Sequence, residues 1–173
     1  MERKELLNRL ISIYRQSFDI QENYEMGGEI YDAYGFCNIT NSKYVLVKKA
    51  ELWRALCFEH VFFKGVDVLD CADVENFCTQ TVEYIEPQLV RKGEKCTVKD
   101  HMYSYITCVF VCENGLAPDA LKKLKKSKFF KNYMLSVRGY SELRLLAVDL
   151  KSGKVYGNAA ARDLIKEYKE NVL

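Results

Sequence analysis

Two prolines and nine glycines in 173 residues are too few to make a Pro/Gly-rich boundary. No repeat or low-complexity run interrupts the chain, so one continuous domain over 1–173 is expected. No stretch approaches the roughly 18 uncharged apolar residues of a membrane span. Met1 to Arg9 carries Glu2, Arg3, Lys4 and Glu5 with no apolar run behind them, unlike a secretion signal. A soluble chain with no membrane partner is the expectation. Histidine is scarce too. With only His60 and His101 present, a His-Glu-x-x-His helix is impossible. There is also no Cys-x-x-Cys pair and no Gly-x-Ser-x-Gly elbow, and Gly27-Gly28, Gly115 and Gly153 make no phosphate-cradling loop. The nearest metal-ligand pairs are Cys57 with His60 and Cys96 with His101. In a strand, Cys57 and His60 differ in parity and point to opposite faces. Neither a metal nor a cofactor is expected.

Seven cysteines are present, an odd number. Without a secretion signal they read as reduced thiols in the cytoplasm, where cysteine behaves as a small buried hydrophobe. By the same logic the sequon Asn38-Ile39-Thr40 goes unmodified. Hydrophobic residues make up 49% of the chain, enough for a packed core. A net charge of +2 implies no polyanionic partner by itself.

The pattern along the chain predicts an α+β fold in the order α-β-β-β-α-β-α-β-β-β-α, with helices packed on a mixed or antiparallel sheet. Leu6, Leu7, Leu10, Ile13 and Tyr14 form one helical stripe over 2–16. Strands are expected over Ile30–Ile39, Tyr44–Lys48 and Leu52–Phe63, with a turn at Thr40-Asn41-Ser42-Lys43. A helix over 72–91 has Asp70 or Asp73 as N-cap and Gly93 at its exit, and Pro87 should kink or end it near Glu86. Met102–Cys112 has no polar face and reads as a central strand, dry on both sides. A short helix opens at Pro118 with Asp119 in its first turn and ends near Lys128. Tyr133–Val137, Leu143–Leu150 and Val155-Tyr156 read as strands, the last two joined by the turn at Lys151–Lys154. Asn158 is the expected N-cap of a final helix over Ala159–Glu170.

Four chemistries are worth weighing. An acid precedes each histidine, Glu59-His60 and Asp100-His101, but neighbours in a strand face opposite ways, so any acid–imidazole dyad must combine different strands. The element order of the first two-thirds resembles the α-β-β-β-α-β core of the restriction-endonuclease-like superfamily. That resemblance implies a metal-dependent nuclease with a Pro-Asp and an Asp/Glu-x-Lys motif. Pro118-Asp119 and Asp149-Leu150-Lys151 match literally, but both lie outside the resembling part, and the first three strands hold no Asp/Glu-x-Lys. A metal-dependent hydrolase requires carboxylates such as Glu51, Glu59, Asp100 or Asp149 to converge.

The third feature is Lys122, Lys123, Lys125, Lys126, Lys128 and Lys131 interleaved with Leu121, Leu124, Phe129 and Phe130. It reads first as the solvated side of a helix and second as an anion or nucleic-acid surface, which Arg138, Arg144 and Arg162 would extend. The fourth is aromatic content: 12 Tyr, 9 Phe and 1 Trp. Tyr24, Tyr31, Tyr34, Tyr44, Trp53, Tyr103 and Tyr105 crowd the strand region, and an uncovered sheet face there would line a pocket or partner interface, with Tyr31, Tyr34, Trp53, Tyr103 and Tyr105 as candidates. The preferred expectation is therefore a binding or interaction module, either self-associating or taking a protein partner. Nucleic acid ranks behind it.

Overall fold

The structure, a computed structural model, describes residues 2–42 and 54–172. Helix α1, Arg3–Tyr14, buries Leu6, Leu7, Leu10 and Ile11, which recur at helical spacing. Ile13 falls off that stripe and is exposed. Then come strands β1 (Asp19–Met26), β2 (Glu29–Ser42) and β3 (Arg54–Val66). Gly27 and Gly28, both at positive φ, make the tight turn between β1 and β2. After helix α2 (Cys71–Gln80) and its π-helical extension (Thr81–Val90) come β4 (His101–Cys112), α3 (Pro118–Lys126), β5 (Phe130–Asn132), β6 (Tyr140–Asp149) and β7 (Lys154–Gly157). A 3-10 turn, Ala159–Ala161, leads into α4, Arg162–Asn171.

Among the described residues seven strands form one sheet in the order β1-β2-β3-β4-β6-β5, with β7 also pairing β6. β1, β2 and β3 are an antiparallel meander; β3, β4 and β6 are parallel. The parallel strands thus have a common amino end (Arg54, His101, Tyr140) and a common carboxyl end (Val66, Cys112, Asp149). Helices α2 and α3 cover one face, bringing Phe77 and Leu124 onto a core with Phe62 and Phe110, and α1 and α4 cover the other, bringing Leu10 and Tyr168 onto a core with Phe63, Val109 and Val111. Ile106–Cys112 of β4 are buried throughout, as a strand sandwiched between helices requires. The expected dryness stops short of its amino end, where Met102 is exposed and Tyr103 and Tyr105 are half-buried.

The predicted fold class and the central place of β4 are found. Several details differ. β1 was not expected: in Asp19–Met26 only Met26 is buried, so this edge strand has no hydrophobic period to read. Thr40, Asn41 and Ser42 continue β2 instead of turning; Tyr44–Lys48 lies outside the described residues.

Pro87 does not end its helix. The helix widens into ten π-helical residues, whose i→i−5 bonding, as in Arg91 N–H to Glu86 C=O, accommodates the proline ring. Asp70 caps α2 in a full capping box with Asp73, as expected. Tyr133–Val137 is a turn, not a strand, and β5 lies just before it.

Asn158 starts the last 3-10 turn, but its side chain makes no cap hydrogen bond. β5 and β7 share the outer rim of β6 and leave a gap between them. Asn158 fills it: Leu145 N–H donates to its Oδ1 at 3.1 Å, and its Nδ2 donates to the carbonyls of Leu143 and Ser127 at 3.0 and 3.1 Å.

Candidate functional site

Helices α1 and α4 cover only the carboxyl half of their sheet face. On the amino half, β4 presents Tyr103 and Tyr105 two residues apart, so both point the same way. β6 adds Tyr140 in register with Tyr103, and β5 adds Phe130 opposite Glu142. The rings form one cluster: Tyr103–Tyr105 at 4.6 Å between centroids, Tyr103–Tyr140 at 6.1 Å and Phe130–Tyr140 at 5.2 Å. All three tyrosines are half-buried and Phe130 is exposed. Phe130 stacks on Tyr140, the tyrosine rings tilt against one another, and the Tyr105 and Tyr140 hydroxyls meet at 3.4 Å within the cluster.

Arg144 pins the cluster, its guanidinium 3.1 Å from the centre of the Tyr105 ring. Glu59 on β3 balances it, 3.6 Å from Arg144 and accepting from Thr107 Oγ1 at 3.0 Å. Burial pushes the Glu59 carboxyl above its ordinary range, against the pull of Arg144 and Thr107. Burial likewise pushes the Tyr103 hydroxyl up to about 12. Beside Phe130 and Glu142, at the rim of the sheet, lies a cleft of about 240 Å³ that also touches Lys128, Asn158 and Ala159.

The same end of the other face is a closed polar network. The Arg138 carbonyl can only accept, so His101 Nδ1–H donates to it at 2.7 Å, leaving His101 Nε2 to accept from Ser104 Oγ–H at 2.8 Å. Ser104 pairs in register with Ser141, whose hydroxyl donates to Tyr133 Oη at 2.7 Å; Tyr133 in turn donates to Glu86 at 2.8 Å. Burial alone would push the Glu86 carboxyl up. Arg91, Tyr133 and Lys131 all donate to it and together hold it below its ordinary value. His60 shares a 2.8 Å hydrogen bond with Tyr34. Burial pushes the His60 imidazole down to about 4, with help from Lys92 and His101. His101 bonded to Ser104 has the geometry of a base beside a nucleophile. Ser104 is only 1% exposed and His101 4%, however, so substrate has no approach and the network reads as satisfied core.

The turn between β5 and β6 supplies the Arg138 carbonyl. Met134, Leu135 and Ser136 are consecutive left-handed residues, with φ of 49°, 52° and 69°. Gly139 follows, packed so tightly on the backbone of His101 and Met102 that a Cβ would collide with the Met102 carbonyl oxygen.

The sequence candidates divide between the two faces. Tyr31 and Tyr34 are buried on the α2/α3 side against Phe62, so they share no surface with Tyr103 and Tyr105. Both turn inward because pairing lapses at Asn23 and Asp32, where Asn23 adopts a φ of 51°. Trp53 lies outside the described residues. Of the lysines, Lys123 pairs with Glu75 and Lys131 with Glu86, Lys125 lies over the Tyr156 ring, and Lys122, Lys126 and Lys128 have no ionic partner among the described residues.

Cys57 and His60 do lie on opposite faces. Among the described residues the carboxylates do not converge. Glu59 sits with Arg144, Asp149 accepts from Ser152 at the carboxyl end of β6, Asp100 is exposed at the amino end, and Glu51 lies outside the described residues. Asp119 opens α3, accepting from the N–H of Ala120. Among the described residues no three His, Cys, Asp or Glu side chains are grouped to hold a metal ion, and no helix is long and apolar enough to cross a membrane.

Sequence reasoning missed Tyr140 and Phe130 as members of the aromatic cluster. Tyr140, Glu142 and Arg144 alternate along one face of β6, a signal visible once that strand begins at Tyr140 instead of Leu143.

The model of one protein family, described as a domain of unknown function (DUF8052), matches residues 2–170, and the chain belongs to that family. No curated protein and no solved structure matches it.

Proposed function

We propose that this protein is a non-catalytic binding module of the cytoplasm, a single domain that takes an extended segment of a protein partner on the tyrosine face of its sheet. The observation that carries the reading is the contiguous patch of Tyr103, Tyr105, Tyr140 and Phe130, over which no helix lies among the described residues.

Size favours a segment over a globular partner. Three strands at about 4.8 Å spacing give a patch of a few hundred Å², below the roughly 800 Å² per partner of a stable globular interface. Self-association through this patch alone is disfavoured on the same ground. Charge favours protein over nucleic acid. Arg144 is neutralised by Glu59, and Glu142 adds a negative charge, so the patch offers phosphates no cationic surplus. Half-buried tyrosine rings give rigid, amphipathic contact at low entropic cost, the chemistry that protein-recognition surfaces favour. Placement in the cytoplasm rests on the cysteines, all seven of which are free thiols.

The nuclease reading has element order in its favour, since α1, the β1–β3 meander, α2 and β4 follow one another as in that superfamily. The scattered carboxylates leave it without a site.

A photo-crosslinking residue at position 140, compared with one at Lys166 on the exposed side of α4, tests the proposal in cells. Discrete protein adducts from position 140 only, lost on Tyr103→Ala, are expected. Equal adduct patterns from both positions, or none from 140, would remove the proposal's basis.

A further inference from the structure

The turn at the amino end of β6 combines a strained backbone with exposed apolar side chains. Left-handed backbone is costly for any residue with a Cβ, and a sequence selected for stability alone would place glycine there. Met134, Leu135 and Ser136 adopt it in succession. Hydrogen bonds from Val137 N–H to Met134 C=O, Arg138 N–H to Tyr133 C=O and Gly139 N–H to Ser136 C=O close the turn. Its apolar side chains point away from the fold: Met134 is 60% exposed, Val137 75% and Leu135 94%. Met102 and Val98 extend the exposed apolar surface at the same end.

The surrounding charge is one-sided. The 91–100 loop is tied to the turn by Thr97 Oγ1 donating to the Arg138 carbonyl at 2.7 Å. Residues 91–100 and 128–138 together carry seven cations against two carboxylates, a surplus of five on a chain whose total surplus is two. Arg91 and Lys131 are engaged by Glu86, whereas Lys92, Lys95, Lys99 and Lys128 have no ionic partner among the described residues. The carboxyl end of the parallel strands mixes Asp67, Asp70, Asp73, Glu113 and Asp149 with Arg3, Lys64, Lys151 and Lys154, so it carries no comparable surplus.

We infer that the protein docks reversibly on anionic lipid surfaces, inserting Met134, Leu135 and Val137 among the lipids while the lysines of the 91–100 loop and Lys128 meet the headgroups. A projecting apolar turn inside a cationic collar suits a bilayer surface, which needs no complementary pocket. The expectation of no membrane partner rested on the lack of a spanning segment, and docking needs none. The inference stands independently of the tyrosine face, which lies beside the turn on the sheet.

Flotation of the full chain with phosphatidylcholine vesicles, with and without about 30% phosphatidylserine, tests it. Binding to the anionic vesicles at low salt is expected. Leu135→Ser with Val137→Ser should weaken it about tenfold, and Lys95→Gln with Lys99→Gln several-fold. Ser136→Gly, which keeps every apolar side chain, should leave it intact; circular dichroism confirms that each variant folds. No flotation with anionic vesicles, or flotation indifferent to loss of Leu135 and Val137, overturns the inference. A crosslinker at position 135 that captures a protein while vesicles are ignored overturns it equally and marks the turn as a protein contact.

Discussion

The two ends of the parallel strands solve the same packing problem differently. At the carboxyl end, Phe63, Val109, Phe110, Val111, Leu146 and Val148 are fully buried between helices on both faces, and the polar groups sit at the rim as caps and turn-makers. At the amino end, one face is a half-open tyrosine cluster, and the other is a buried polar layer of His101, Ser104, Ser141, Tyr133 and Glu86 beside the His60–Tyr34 pair. Area burial is non-directional and tolerant of repacking. Hydrogen-bond networks are directional and fail when one member is lost. The carboxyl end therefore supplies stability, and the amino end supplies defined positions for surface groups.

The largest effect that would break this contrast is in the core. Phe110→Ala should cost about 3–5 kcal/mol by equilibrium denaturation, whereas Tyr103→Ala, on the half-open face, should cost about 1 kcal/mol or less. Equal losses would mean the tyrosine face is as much a part of the core as Phe110.

The next effect is pH-dependent. His60 has its folded pKa depressed to about 4 from an ordinary 6.5, so below 6.5 the unfolded chain binds a proton that the folded chain refuses. Stability should fall as pH drops from 6.5 towards 4, by up to about 3 kcal/mol, and His60 should add nothing further below that. Burial also depresses His101, which deepens the same slope. His60→Gln keeps a partner for Tyr34 and should flatten most of the decline, read as denaturation midpoint against pH.

Asn158→Ala should cost about 2 kcal/mol, because it strands buried amide and carbonyl groups of β6. The smallest expected change is a gain: Ser136→Gly, relieving left-handed strain, should stabilise by about 0.5–1 kcal/mol. No gain there would mean that the turn is held without strain.

Most of the architecture was legible in the sequence because its signals are local. The uncharged run of β4 from Met102 to Cys112, the Pro118 start of α3 and the Asp70 cap each announce their element. What was missed depends on partners. β1 is a strand because β2 pairs with it, and its side chains give no period. Pro87 signals disruption, and only the packed helix shows the disruption absorbed as a wide turn. Tyr31 and Tyr103 look alike in sequence, yet a lapse in pairing at Asn23 and Asp32 sends one inward, while the limited reach of α1 and α4 leaves the other half-open. The Ser104–His101–Arg138 chain joins residues on a strand and a distant turn, and no spacing rule announces it.

The rim of β6 has a consequence for aggregation. Unpaired strand edges template the addition of further chains, the first step toward fibrils. Here the rim is divided between two short strands, and a single asparagine amide occupies the backbone groups between them. A neighbouring molecule arriving at that side finds no continuous ladder on which to grow. Asn158 thus guards the solubility of the folded chain as well as its stability, at the side of the sheet nearest the exposed turn.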